Sequence, residues 1–296
     1  MIETFAENKA IITEKDRWNL LQKKARELRV LKAFVLFREH GIEPVLIKGL
    51  AAAQLYPESE YRQSIDTDLA VSERDFEAAT RISRSIEATG LAIDLHRELR
   101  HLDTVNWDDL FENSQLLELE SGSIRILRPE DHLRVLCIHW LTDGGANKER
   151  LWDIYYGIEN RPADFCWARF LNLVSKRRQR WLTCTAGLAE RFLGLDLTGT
   201  PIEGAARNLP EWLVQTVERE WVSGTRLLPL HLSLNDPKVL AKQIKKRLRP
   251  NPIWATVQME GSFDAKTRIF YQIGSFLKRM PSSCRRITQT LFRPSK

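Results

Sequence analysis

The sequence predicts an α+β protein in which a small mixed sheet with helices is followed by a mostly helical C-terminal portion. Three observations carry that prediction. Short apolar, strand-like runs alternate with helical stretches before residue 128. The segment IDTDLAV, residues 65–71, reads as a strand although it holds two carboxylates. From Pro129 onward, apolar residues recur at helical spacing. The expected division is an N-terminal helical segment over residues 1–40, a mixed core over 41–128 and a helical domain over 129–296.

From about Thr13 to His40 the chain is rich in Leu, Lys, Arg, Glu and Ala and predicts a long amphipathic helix. Gly41 is suited to its C-terminal cap, and Pro44 blocks its continuation. Val45–Ile47 predicts a short strand, and the Ala/Leu-rich run Gly49–Tyr56 a helix stopped by Pro57. Thr67–Val71 is a strand, after which Ser72 caps a helix reaching Thr89-Gly90. Leu91–Leu95 is a further strand. Leu116–Glu120 and Ile124–Leu127, around Ser121-Gly122-Ser123, form a hairpin. Proline followed by two acidic residues at Pro129–Asp131 is a strong helix start. Leu197–Pro210 is expected to be a loop between helices, and the tryptophans fall mostly at core positions of helices.

Composition bounds the function classes. The chain has 296 residues, 43% of them hydrophobic, enough for a substantial core. No run of about 18 apolar residues exists, so no membrane span is expected. The N-terminus lacks the apolar stretch of a signal peptide. Four dispersed cysteines without a C-x-x-C pair fit reduced thiols in a cytoplasmic protein and argue against structural zinc. Charge is uneven: Lys238–Lys296 holds 14 Lys/Arg against 2 Asp/Glu, whereas the preceding residues are net acidic.

The chemistry centres on Asp66 and Asp68. Alternate side chains of a strand share a face, so both carboxylates converge about 7 Å apart along it. Like charges held so close invite a divalent cation, and oxygen-only ligation suits Mg²⁺ or Mn²⁺. They also imply that neutralising either one relieves repulsion in the metal-free protein. Asp94 lies in the next strand, on an alternation with His96, and becomes a third carboxylate if the two strands are neighbours. Three carboxylates can bridge two metals for phosphoryl or nucleotidyl transfer. Lys48-Gly49 precedes a helix, where a lysine and backbone N–H groups can hold phosphates.

These residues resemble the uncharacterised nucleotidyltransferase family of the DNA polymerase beta superfamily. The family reads as an apolar strand, Lys-Gly, a small-residue helix ending in Tyr-Pro, an Arg, then D-x-D-L-x-V. The corresponding residues are Val45–Ile47, Lys48-Gly49, Ala51–Tyr56-Pro57, Arg62 and Asp66–Val71. Asp94-Leu95-His96, Pro129–Asp131, His139, Arg150–Ile154 and the stretch from Arg249 to Gly274 extend the likeness. The resemblance implies a minimal nucleotidyltransferase core, with Asp66, Asp68 and Asp94 as metal ligands and catalytic carboxylates. It places Lys48 and Gly49 at the triphosphate of ATP or another nucleoside triphosphate. The superfamily's Gly-Ser or Gly-Gly is here Gly49-Leu50, so Lys48 or Ser64 is expected to supply the missing phosphate contact.

Arg62 can grip phosphate bidentately, and His139 is carried as a nucleotide-binding residue. His96, Arg150 and Asp153 stay unassigned between functional and structural roles, as does Lys148. The expected function is metal-dependent transfer of an NMP, AMP from ATP, to a hydroxyl or phosphate on a peptide, sugar or small molecule. Asp94 is the expected proton acceptor and pyrophosphate the leaving group. A toxin-like enzyme modifying tRNA is the alternative, with the basic residues Lys238, Lys242, Lys245, Lys246 and Arg249 as its RNA-binding face. A catalytically silent module that holds a nucleotide or leader peptide is a third.

Overall fold

The computed structural model of the protein describes residues 14–58, 60–223, 236, 238 and 250–279. The chain forms two compact units, one of residues 1–98 and 107–127, the other of 99–106 and 128–296.

The first unit begins with α1 (Glu14–Arg38), whose first turn is acidic and whose last carries Arg38, in keeping with the helix dipole. Gly41, at φ 73°, ends it in the left-handed conformation glycine adopts without a Cβ penalty. The Ile42 N–H then reaches back to Phe37 O at 3.0 Å. Arg38 ties this end to Glu43 and to Ser123 O. The predicted strand follows as β1 (Val45–Leu46) and the predicted helix as a single turn, α2 (Leu50–Ala53). β2 (Thr67–Val71) matches its predicted bounds. α3 (Phe76–Ile82) is shorter than expected at both ends. Ser72 Oγ accepts the Asp75 N–H at 3.1 Å and bonds the Asp75 carboxylate at 2.6 Å, in a turn that precedes the helix. The helix ends at Ile82, well before Thr89-Gly90. β3 (Ile93–Arg97) starts two residues later than the sequence suggested. α4 (Trp107–Glu112), which the periodicity did not single out, precedes the hairpin of β4 (Gln115–Leu119) and β5 (Gly122–Ile126).

The five strands form one mixed sheet in the order β3-β2-β1-β5-β4. β2 runs parallel to β3 and antiparallel to β1, and β1 runs parallel to β5. Leu46, Leu69, Val71 and Ile124 pack with Phe34 and Phe37 of α1 and Ala79 and Ile82 of α3 in one hydrophobic core. Side chains alternate along a strand, so anchoring Leu69 and Val71 in that core turns Asp68 and Ala70 to the opposite face.

The second unit is helical. It comprises α5 (Pro129–Thr142), α6 (Leu151–Glu159), α7 (Trp167–Asn172), α8 (Lys176–Leu193), α9 (Glu203–Arg207), α10 (Glu211–Ser223) and α11 (Pro252–Gln258), with residues 269–279 also helical. Proline opens α5 at its first turn, as predicted. The loop expected over Leu197–Pro210 contains α9, a short helix whose Ala206 is buried. Ala206 O would lie 2.0 Å from a Cβ at Gly187 of α8, so only glycine admits this close packing of α9 on α8. Trp140 and Trp181 are fully buried, in line with their core reading.

Candidate active site

Asp68 is placed by β2, at the centre of its burial. In the parallel pairing, Asp68 stands in register with Asp94 and Ala70 with His96. The alternation predicted for β3 therefore holds, and both of its polar side chains share the face of Asp68. β3 is an edge strand, which leaves Asp94 accessible while Asp68 is covered. The side chains of Lys48 and Asp68 are each 11% exposed, that of Asp94 57%.

The contacts are close. Lys48 Nζ lies 2.6 Å from Asp68 Oδ1. His96 Nε2 lies 3.2 Å from Asp94 Oδ2 and 3.8 Å from Asp68 Oδ1. Ligand atoms of Asp68, Asp94 and His96 all fall within 4.8 Å of one another. Burial pushes the Asp68 carboxyl up, but the His96 imidazole and the Lys48 ammonium beside it more than offset this and hold it at about 2. His96 itself is buried, and among the described residues neither ring nitrogen has a hydrogen-bond partner of acceptable geometry. A buried imidazole with unsatisfied nitrogens beside two carboxylates has the donor chemistry of a cation site.

The approach to β2 is built around Gly49. Its φ of 61° is one that L side chains rarely adopt, and a Cβ there would lie 3.3 Å from both Asp66 O and Ser64 Oγ. Arg62 is buried and donates to Gly49 O at 3.1 Å. Ser64 Oγ donates to Asp66 O at 3.2 Å. From α1, Arg26 bonds the Tyr61 hydroxyl at 2.6 Å and Arg29 bonds Ile65 O at 2.9 Å. The loop between α2 and β2 is thus pinned from both sides.

The structure brings together Lys48, Asp68 and Asp94, and adds His96 to them. Asp66 stands just before β2, is exposed, and is not among the clustered ligand atoms. The expected repulsion at Asp68 is replaced by attraction, because Lys48 and not Asp66 is its near neighbour. His139 belongs to the other unit, on α5, with Nδ1 3.9 Å from Asp143 Oδ2. Arg150 stands at the residue before α6 without a side-chain cap bond, and Asp153 is buried on that helix. Lys148 Nζ stands 5.4 Å over the Trp221 ring. The basic stretch Lys238–Arg249 lies outside the described residues except for Lys238. The signal that singles out His96 was available in the D-x-H spacing of β3, once β3 was known to adjoin β2.

A mixed sheet thus carries in-register carboxylates on adjacent strands, beside a strand-to-turn Lys-Gly. The model of a family described as uncharacterised nucleotidyltransferase matches residues 12–85. That stretch runs from α1 through α3 and contains Lys48, Gly49, Arg62, Ser64, Asp66 and Asp68; it ends before Asp94 and His96. The match supports nucleotidyl transfer as the general function of the matched stretch. Comparison with the curated proteins and with the solved structures returns no match. Among the described residues, no helix is long and apolar enough to cross a membrane.

Proposed function

We propose that the protein transfers an NMP, AMP from ATP, to an acceptor hydroxyl or phosphate on a peptide, sugar or small molecule, and that the transfer depends on a divalent cation. The observation that carries this reading is the registered pair Asp68–Asp94, with its ligand atoms and that of His96 within 4.8 Å. The donor set fits a cation, since two carboxylates and an orphaned buried imidazole face one small volume. When bound, a divalent cation neutralises charge on the transferring phosphoryl group and on the leaving pyrophosphate.

The residues of the chain divide the remaining work. The acceptor oxygen attacks the α-phosphorus of ATP, the bond to the α,β-bridging oxygen breaks, and pyrophosphate leaves with that electron pair. Asp94, exposed at the sheet edge, accepts the proton of an acceptor hydroxyl. Lys48, beside the Asp68 carboxylate, is a strong donor for the triphosphate. Gly49, held by Arg62, keeps side-chain bulk away from the approach. In this reading Arg62 holds the loop at Gly49, and Ser64 bonds the backbone of the exposed Asp66 just before β2.

The test is incubation with ATP labelled in its adenosine moiety, with Mg²⁺ or Mn²⁺, and panels of peptides, sugars and RNA. Mass spectrometry then seeks an acceptor heavier by one NMP, matched by equimolar pyrophosphate. Label in RNA, falling off steeply with salt, would favour the tRNA-modifying alternative, which the basic stretch after Lys238 supports. Nucleotide binding with no pyrophosphate from any acceptor would leave a binding module.

A further inference from the structure

We propose that His96 is itself a ligand of the catalytic cation, so that the site takes a Mn²⁺-like transition cation in preference to Mg²⁺. This deepens the reading above and rests on it for the word catalytic, but the binding it asserts is separate from turnover.

The case begins with packing. His96 is only 8% exposed. Its Nδ1 lies buried without a hydrogen-bond partner among the described residues, and its Nε2 faces the Asp94 and Asp68 carboxylates without a well-formed hydrogen bond to either. A buried polar group left unsatisfied costs on the order of 1–3 kcal/mol, so a histidine kept in that state needs a compensating partner. The register of β2 and β3 supplies the direction. His96 follows Asp94 by two residues on one strand face, and its Nε2 lies nearer to the carboxylates of Asp94 and Asp68 than to any other described carboxylate. Ligand atoms about 2.1 Å from one cation lie roughly 3–4 Å apart from each other. The 3.2 Å and 3.8 Å separations at Nε2 fall in that interval.

Ligand chemistry then selects the ion. Imidazole adds affinity for first-row transition cations, while Mg²⁺ favours oxygen ligands and retained water. Two carboxylates alone would serve Mg²⁺ well, and the nitrogen shifts the preference. Lys48 Nζ lies 2.6 Å from Asp68 Oδ1, so a cation at Asp68 shares that carboxylate with an ammonium, and a third ligand in His96 favours its binding there.

The experiment uses the full chain without nucleotide. Mn²⁺ is titrated in and its binding followed by loss of the free-ion electron paramagnetic resonance signal, and pulsed measurements detect nitrogen coupled to the bound ion. The expected result is coupling to one imidazole nitrogen, which changes from the ¹⁴N to the ¹⁵N pattern when the protein is grown with ¹⁵N-histidine. His96→Asn should abolish the coupling and weaken Mn²⁺ binding at least about tenfold, the lower end of what even an outer-shell partner is worth. Its effect on Mg²⁺, read by competition, should be smaller. Bound Mn²⁺ without nitrogen coupling in the wild-type chain would overturn the proposal, as would no Mn²⁺ binding, or equal loss of both ions in His96→Asn. The isotope experiment needs no variant, and His96 is the only histidine grouped with two carboxylates among the described residues, so misfolding of His96→Asn cannot mask the answer. Nitrogen-coupled Mn²⁺ in a protein that transfers no nucleotide would uphold this ligand and refute the transferase reading.

Discussion

In the helical unit, Arg134 is 1% exposed, and each arm of its guanidinium has a partner. Nε bonds Asp103 at 2.8 Å, NH2 bonds Asp131 at 2.6 Å, and NH1 bonds Arg169 O at 2.8 Å. Asp131 also accepts from Arg169, and the other Asp103 oxygen accepts the backbone N–H groups of Thr104 and Val105. In the sheet unit, Lys48 and Asp68 are nearly as deeply buried, but the cluster around them is unfinished. His96 Nδ1 has no hydrogen-bond partner there among the described residues, and Asp94 opens to solvent. A buried ionic network closed on every side holds tertiary structure in one arrangement. One left open at an edge strand keeps capacity for a ligand. The difference teaches that burial of charge alone does not mark a site; incomplete satisfaction does.

The largest effect expected from breaking this contrast is on turnover. Asp68→Asn should lower nucleotidyl transfer about a thousandfold or more, roughly 4 kcal/mol of barrier, in a fixed-time assay for pyrophosphate release. The folded protein should survive, destabilised because Lys48 loses its buried counter-charge. Near-normal turnover would remove Asp68 from the chemistry.

Next in size, Arg134→Ala should destabilise the helical unit by about 3–5 kcal/mol, the cost of breaking a buried pair and leaving Asp131 and Asp103 short of a partner. Chemical denaturation followed by tryptophan fluorescence would read it, since Trp140 and Trp181 are buried in that unit. A change under 1 kcal/mol would mean that the closed network carries no more stability than a surface pair, and the contrast would fail.

The acid limb sharpens it further. The Asp68 carboxyl is held at about 2, below its ordinary value of 3.8. A depressed carboxylate contributes stability that is present above the unfolded value and lost as pH falls through the folded one. In the presence of a chelator, stability should therefore fall by on the order of 2 kcal/mol between pH 4 and pH 2. Asp68→Asn should lack that portion of the decline. Glu130, lowered by Arg128 and the Cys166 N–H against its burial, acts in the same direction in the helical unit, so the two are separated by comparing Asp68→Asn with Glu130→Gln.

The smallest effect concerns Asp66. Exposed and outside the cluster, Asp66→Asn should change metal-free stability by less than about 0.5 kcal/mol. Stabilisation well beyond that would restore the like-charge repulsion that the D-x-D spacing suggests. Its turnover, measured beside that of Asp68→Asn, tells whether both positions of the motif reach the cation.

Much of this was legible along the chain, because it depends on local rules. β2 fell at Thr67–Val71 because Thr67, Leu69 and Val71 line one face of a short β-prone run, and α5 began at Pro129 because proline suits a first helical turn. Asp68, Asp94 and Lys48 could be singled out for the same reason: their residue types and spacing are local facts. What local rules do not contain is which strands lie side by side. β2 and β3 are separated by α3, and only their parallel pairing puts Asp94 opposite Asp68 and makes His96 a neighbour of both. Nor does spacing tell that Lys48, eighteen residues or more from Asp68 and Asp66, chooses the buried carboxylate and leaves the exposed one. That choice follows from burial: the carboxylate removed from water needs a counter-charge, and the one in water does not. Propensity and periodicity act within a few residues, so they marked β2, the start of α5 and the identities of the charged residues, but not α4 or the short α9. The partners of those charges were decided by tertiary structure alone, because pairing and desolvation are set by strands that meet only in the folded sheet.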